Sequence, residues 1–239
     1  MVEKRVALVT GANKGIGLEI ARKLAKAGVH VLLGSRDAAR GNEAAMLLAK
    51  DGLTVEAIHL DLDAPETIAR VATTIATKHG RLDILVNNAG IFDFADAVPS
   101  KADIQAVRRV MDVNFIGALA VTQAMLPLLR EAPEGRIVNL SSSLGSLTQN
   151  ADPASPYYSQ QFIGYNASKA ALNMLTIQLH EELRGTRIKV NSVSPGFVKT
   201  DLTGYGTMIP EEGARLPAEY ALNGNDSGSF VEPDGTTPW

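Results

Sequence analysis

The 239-residue chain contains no cysteine. That absence excludes disulfides, thiol catalysis and any zinc site built on cysteine. Charge of either sign is also without excess: 23 Lys and Arg stand against 26 Asp and Glu, a formal net charge of −3. Such a balance offers no basic stripe, so a nucleic-acid partner is not expected. No uninterrupted apolar run approaches the ~18 residues of a membrane span, so no membrane partner is expected either. The opening MVEKRVALVTG has charges but only a short apolar run before a glycine, which does not read as a signal peptide. The expectation is a soluble, cytoplasmic, globular protein. Its composition, 45% hydrophobic and 21% charged, agrees with that class. No linker, charge block or repeat divides the chain, so residues 1–239 read as one domain.

Short β-rich runs alternate with longer helix-patterned stretches. The strand candidates are Arg5–Val9, Val29–Leu33, Val55–Leu60, Leu82–Val86, Arg136–Leu140 and Ile188–Val193. Between them the pattern predicts helices over Gly15–Lys26, Ala38–Lys50, Pro65–Lys78, Gln105–Leu129 and Ala167–Leu183. Alternation of this kind predicts an α/β fold, a doubly wound parallel sheet with helices on both faces. The last third is less regular. It predicts a Gly/Thr-rich loop over Thr203–Gly213, one short helix over Glu211–Leu222 and an edge strand at Ser229–Val231. Substrate contacts are expected in this loop and helix, residues 197–225.

Thr10-Gly11-Ala12-Asn13-Lys14-Gly15-Ile16-Gly17 follows the first strand and opens the first helix. Glycines allow a tight turn and close approach of a phosphate, while a helix N-terminus offers free N–H groups. The GxxxGxG spacing differs from the common dinucleotide GxGxxG, and alone it also fits a turn without a ligand. Tyr165 and Lys169 form a YxxxK, which places phenol and ammonium one helical turn apart on one face. A nearby ammonium favours the phenolate, so this spacing predicts a Tyr165 pKa below the usual ~10. Tyr157 and Tyr158 have no Lys four residues on and are not favoured.

Together with Asn87-Asn88-Ala89-Gly90, Asn114 and Ser142, these motifs resemble the short-chain dehydrogenase/reductase family, in particular its NADPH-dependent carbonyl-reductase-like members. The resemblance runs from Lys4 to about Val231. It implies a single-domain Rossmann-type fold and hydride transfer between a nicotinamide and a small carbonyl or alcohol substrate. It selects Ser142 over Ser141 and Ser143 as the residue that binds the substrate oxygen, and Tyr165 as the acid/base. It gives Lys169 the nicotinamide ribose and the phenolate, and Asn114 a water held on its backbone carbonyl. The cofactor site it implies comprises Gly11, Asn13, Lys14, Gly15, Ile16, Gly17, Asp61, Leu62, Asn88, Ala89, Gly90, Pro195, Gly196, Val198 and Thr200, beside Asn114, Tyr165 and Lys169. No metal is expected.

Coenzyme choice rests on Ser35 and Arg36. An NAD-type site carries an acid at the end of the second strand, and here that position falls on Ser35, followed by Arg36. With Lys14 as a second cation, the expectation is NADPH/NADP; Asp37, one residue further on, is the counter-argument. From Ser142 to Tyr165 is 23 residues, longer than in most relatives, which marks residues 147–162 as an inserted loop. Some carbonyl reductases carry a longer insertion there that covers a pairing helix, so homodimer, homotetramer and monomer stay open. Rival functions are a 3-oxoacyl carrier-protein reductase, a dinucleotide-sensing binding protein and an isomerase or epimerase on the same fold.

Overall fold

Strand β1 (Val6–Val9) is buried at every position, and its side chains divide between two cores. Val6 and Leu8 enter one core, Ala7 and Val9 the other. Side chains alternate across a strand, so a strand covered on both faces must be apolar throughout. The same logic makes continuous apolar runs of the strands that follow. The computed structural model describes residues 4–239.

After β1 come α1 (Gly15–Lys26), β2 (His30–Ser35), α2 (Ala38–Lys50), β3 (Val55–His59), α3 (Pro65–His79) and β4 (Ile84–Asn87). Then follow α4 (Ile104–Met111), a π-helical turn (Asp112–Gly117), α5 (Ala118–Arg130), β5 (Gly135–Leu140) and a 3-10 turn (Ser143–Gly145). The remainder is α6 (Leu147–Ala151), α7 (Ile163–Glu182), β6 (Ile188–Val193), α8 (Pro210–Gly213), α9 (Arg215–Asn223), β7 (Phe230–Glu232) and β8 (Gly235–Thr236).

The strands form one sheet in the order β3-β2-β1-β4-β5-β6-β7-β8, parallel except for the β7–β8 pair. This is the expected doubly wound, Rossmann-like arrangement. The chain leaves β1 toward β2 and β3, then crosses back to lay β4 on the other side of β1. That reversal opens a crevice at the carboxyl ends of β1 and β4. Helices α3, α5 and α7 fill one face with Val71, Ile75, Val121, Met125, Leu172 and Leu179. Helices α1, α2 and α9 fill the other with Ile20, Leu24, Leu48 and Ala221.

Several boundaries differ from the sequence-based expectation. The helix expected over Gln105–Leu129 is broken into α4 and α5 by the π-helical turn. Within Ile104–Arg130 an 18-residue window reaches a mean hydropathy of 1.4, enough by length and composition to cross a membrane. In this fold it lies against the sheet, with Val110, Val121, Met125 and Leu129 fully buried. Helix α7 begins at Ile163, four residues before the expected Ala167. The expected Glu211–Leu222 helix is two pieces, α8 and α9. Strand β7 is not an edge, because β8 folds back on it through Val231 and Thr236. Within residues 147–162 the chain is helical at first, as α6, before it becomes irregular.

Candidate active site

Strand β5 ends at Leu140 against the crevice, and three serines follow it. Ser141 Oγ donates to Asn173 Oδ1 at 2.6 Å. The Ser143 hydroxyl bonds the Glu232 carboxylate and lies 3.3 Å from Ser194 Oγ. Both neighbours are therefore committed inside the fold. Ser142 is half-buried and accepts the Leu144 N–H at 3.2 Å, and its hydroxyl lies close enough to the Tyr165 phenol to favour the phenolate.

Tyr165 stands in the first turn of α7. Helix α7 starts early because the buried Asp96 carboxylate accepts two of its first amides, Gly164 N at 2.9 Å and Tyr165 N at 2.8 Å. A carboxylate on free amides at a helix N-terminus satisfies donors that have no partner within the helix. Sequence reading missed Asp96, and no local pattern marks it: it caps a helix 68 residues further along. The ring of Phe92 meets Tyr165 edge-on, with centroids 5.6 Å apart.

Lys169 follows one turn later, almost fully buried. Its Nζ donates to the Leu140 carbonyl at 2.8 Å and lies 5.7 Å from the centre of the Tyr165 ring. Burial pushes the Tyr165 phenol up to about 12, a rise only partly offset by the Ser142 hydroxyl. Burial also pushes Lys169 down to about 8. This corrects the expectation of a depressed phenol: loss of solvent outweighs the neighbouring ammonium, which sits over the ring. Close approach of the serine turn to this helix requires Gly145, since a Cβ there would stand 2.7 Å from Lys169 Cβ. The ammonium has three donors and uses one on Leu140 among the described residues, leaving two for a bound group.

Asn114 lies in the π-helical turn, a feature that recurs at functional sites. Its side chain is fully used. Oδ1 accepts Ile91 N at 2.8 Å, and Nδ2 donates to the Ile91 carbonyl and to Ser168 Oγ, both at 3.0 Å. The amide thus ties the loop after β4 to α7. Gly90 sits between them, where a Cβ would come 3.3 Å from Asn114 Oδ1 and 3.6 Å from Lys169 Nζ. Below the crevice, a buried polar row crosses the sheet. Asn87 Nδ2 bonds Asn139 Oδ1 and Thr122 Oγ1, Asn139 Nδ2 bonds Thr176 Oγ1, and Thr176 reaches Ser192.

The glycine turn lies on the other side of the crevice. Gly11 and Gly15 adopt φ of 61° and 60°, left-handed conformations that suit glycine. Thr10 Oγ1 accepts Asn88 N and Ala89 N at 3.0 and 2.9 Å. Asn88 Nδ2 donates to the Thr10 and Gly11 carbonyls at 2.8 and 3.1 Å. The Asn88 side chain therefore holds the turn itself. Gly17 packs beneath it, while Ile16 is half-buried against the second core. Asp61 and Leu62 lie just past β3; Leu62 packs on the π-helical turn at Gly117, and Asp61 caps the Asp63 amide at 3.2 Å.

The loop after β6 folds back over this turn. Gly196 turns with φ 83°, Val198 is buried against Gly213, and Thr200 comes within van der Waals contact of the Gly15 position. Pro195 is buried at the start of this loop. Lys14 Nζ pairs with Asp201 Oδ2 at 2.8 Å, so Lys14 has a partner that the sequence reading did not foresee.

At the end of β2, Ser35 is buried, and its hydroxyl donates to the Asp37 carbonyl at 2.8 Å. Asp37 is the N-cap of α2: its carboxylate accepts Arg40 N at 3.1 Å and lies 3.4 Å from the Arg40 guanidinium. Arg36 is exposed beside it. Arg40 shares a surface groove with Asn13 and Lys14, a third cation the sequence reading had not singled out.

A model of the short chain dehydrogenase family matches residues 5–207, which spans both sides of this crevice. The chain belongs to that family. Like other members of this oxidoreductase family, it uses a nicotinamide dinucleotide and acts on small molecules. Carbonyl reductase [NADPH] 1 of Mus musculus is 34% identical over 276 residues, covering 98% of each chain. Short-chain dehydrogenase/reductase 1 of Saponaria officinalis is 34% identical over 296 residues, covering 100% of this chain and 97% of its own. Among solved structures, an NADPH-bound carbonyl reductase from chicken fatty liver superimposes with a TM-score of 0.84 at 28% identity, covering 100% of both chains.

Proposed function

We propose that this short-chain dehydrogenase is an NADPH-dependent carbonyl reductase that reduces a ketone or aldehyde to an alcohol, reversibly. The observation that carries the reading is the placing of the Ser142 hydroxyl beside the Tyr165 phenol at the end of β5, with the buried Lys169 ammonium 5.7 Å from the ring centre. Two hydroxyls converging on one point suit an oxygen on which negative charge develops. Ser142 holds the substrate oxygen, and Tyr165 gives it a proton. A high phenol pKa keeps that proton in place at neutral pH, ready for reduction. Lys169, still largely protonated near pH 7, stabilises the phenolate left behind, and its remaining donors hold the ribose. Bound NADPH supplies the hydride to the carbonyl carbon, so one hydride and one proton convert C=O to CH–OH. Asn114 braces the loop after β4 with its side chain, and its backbone carbonyl holds the water that returns the proton.

The cations in the glycine turn and after β2 support NADPH over NADH. Asp37 caps α2 through Oδ1 and has the Arg40 guanidinium 3.4 Å from Oδ2, so its charge is partly spent within α2. Exposed Arg36 would meet a 2′-phosphate, joined by Lys14 on its release from Asp201, with Arg40 close by. A guanidinium fork suits phosphate geometry. The NADPH in the names of two similar proteins agrees with this reading. A panel of ketones, aldehydes, quinones and secondary alcohols, followed by coenzyme absorbance, tests it. At least one carbonyl should be reduced with NADPH, with at least about tenfold preference over NADH. Arg36→Ala should raise the KM for NADPH far more than that for NADH. Equal use of both coenzymes by the wild type would refute the coenzyme assignment.

Residues 147–162 are anchored on the body of the protein. Thr148 Oγ1 donates to the Trp239 carbonyl at 2.7 Å, and Asn166 Nδ2 to Asn150 Oδ1 at 2.9 Å. A fixed insertion of this kind supports a dimer or monomer rather than a tetramer. Light scattering on the purified chain is expected to give one of those masses; a clean tetramer mass would contradict it.

A further inference from the structure

Three side chains with metal-ligating atoms meet at the end of the sheet opposite the crevice. His30 opens β2, Glu56 lies in β3, and His79 ends α3. Strands β2 and β3 are neighbours, with Leu32 paired to Glu56, and α3 runs back so that its last turn reaches the same end. One ligand atom from each of the three residues lies within 4.8 Å of the other two. The imidazole rings are 4.9 Å apart, tilted by 45°. His30 Nε2 is 3.8 Å from Glu56 Oε2, too far for a hydrogen bond. His30 Nε2 and His79 Nε2 are both shielded from solvent, and neither has a hydrogen-bond partner among the described residues. Buried nitrogens without a partner carry a desolvation cost, so two at one place call for an explanation.

We propose that His30, Glu56 and His79 bind one divalent transition-metal ion of the zinc class, with water completing the coordination. Two imidazoles and a carboxylate are a donor set suited to zinc, whereas calcium and magnesium favour oxygen alone. One ion would accept lone pairs from both orphaned nitrogens at once. Zinc–ligand bonds of about 2.0–2.2 Å bring neighbouring ligand atoms to roughly 3.5 Å, so the three side chains must close by about 1 Å. Lys78 Nζ bonds Glu56 Oε1 at 2.6 Å, which leaves Oε2 on the His30 side. Free carbonyls at the end of α3 also favour a cation there. The nearby cations Lys4 and Lys78 oppose it by repulsion. Binding joins β2, β3 and α3, so the ion acts as a structural staple on the folded chain.

The test uses the full chain, stripped with a chelator and free of any histidine tag, titrated with zinc against a chromogenic competitor. Cobalt titration followed by visible absorption reports the geometry. The expected result is one equivalent of zinc, a cobalt spectrum of a four- or five-coordinate nitrogen/oxygen site, and a Tm raised by zinc. His30→Gln and His79→Ala should each weaken zinc binding by at least about tenfold and abolish the Tm rise. Lys78→Met should tighten binding. A chain with the other two histidines replaced, His59→Ala and His180→Ala, should still bind one equivalent. Glu56→Gln, at a half-exposed side chain, carries the test should a histidine variant fail to fold. Binding below one equivalent, or unchanged in all three ligand variants, overturns the proposal.

Discussion

Tyr165 and Lys169 lie one turn apart, and burial moves their proton affinities in opposite directions. The YxxxK spacing disclosed their adjacency but not their pKa values, because desolvation depends on what covers the site. Phe92, Ser142 and the end of β5 do that, and none lies within 20 residues of Tyr165. The consequence is measurable through stability. In the folded chain Lys169 releases its proton at about pH 8, whereas an unfolded lysine holds it to about 10.5. Between those values the unfolded state binds more protons, so the Lys169 contribution makes stability rise with pH. Tyr165, with its pKa raised from 10.0 to about 12, acts the other way, and only above pH 10. Chemical denaturation without added coenzyme, from pH 7.5 to 9.5, should give a more positive slope for wild type than for Lys169→Met. Identical slopes would mean that the ammonium is not desolvated.

Among the elements, α7 matters most, since its first turn carries Tyr165 and its second Lys169. Asp96 sets where it starts. Asp96→Ala should free two buried amides and cost about 0.5–2 kcal/mol, the usual loss for a cap. Turnover should fall while the KM for coenzyme changes little, and Asp96→Asn, which keeps one acceptor, should recover part of the loss. A variant with wild-type turnover would show that the cap does not position Tyr165. The helix itself was legible from its apolar period, whereas its start was not, because Phe162 and Ile163 give no local cap signal. Similarly, one apolar period predicted a continuous helix over Gln105–Leu129, and the π-helical turn at Asp112–Gly117 left no mark on that period. Such a turn is fixed by what Asn114 binds across the crevice, in the loop after β4 and on α7.

At the scale of the whole molecule, the parallel sheet was legible because strands buried on both faces must read as apolar runs, from Val6 to Val193. What escaped the sequence are bonds between distant parts: Asp96 to α7, Lys14 to Asp201 and the polar row under the crevice. Each joins single polar side chains across long stretches of chain, and single side chains have no period to read. These bonds bring the glycine turn, the serine turn and α7 around one crevice, and the central claim is that Tyr165 delivers the proton there. The most direct test compares NADPH oxidation with the best carbonyl substrate for wild type and Tyr165→Phe, with NADPH binding followed by fluorescence on both. The account predicts that the variant binds NADPH about as tightly and loses at least about 10²-fold in turnover. Wild-type turnover by a correctly folded Tyr165→Phe protein would contradict it.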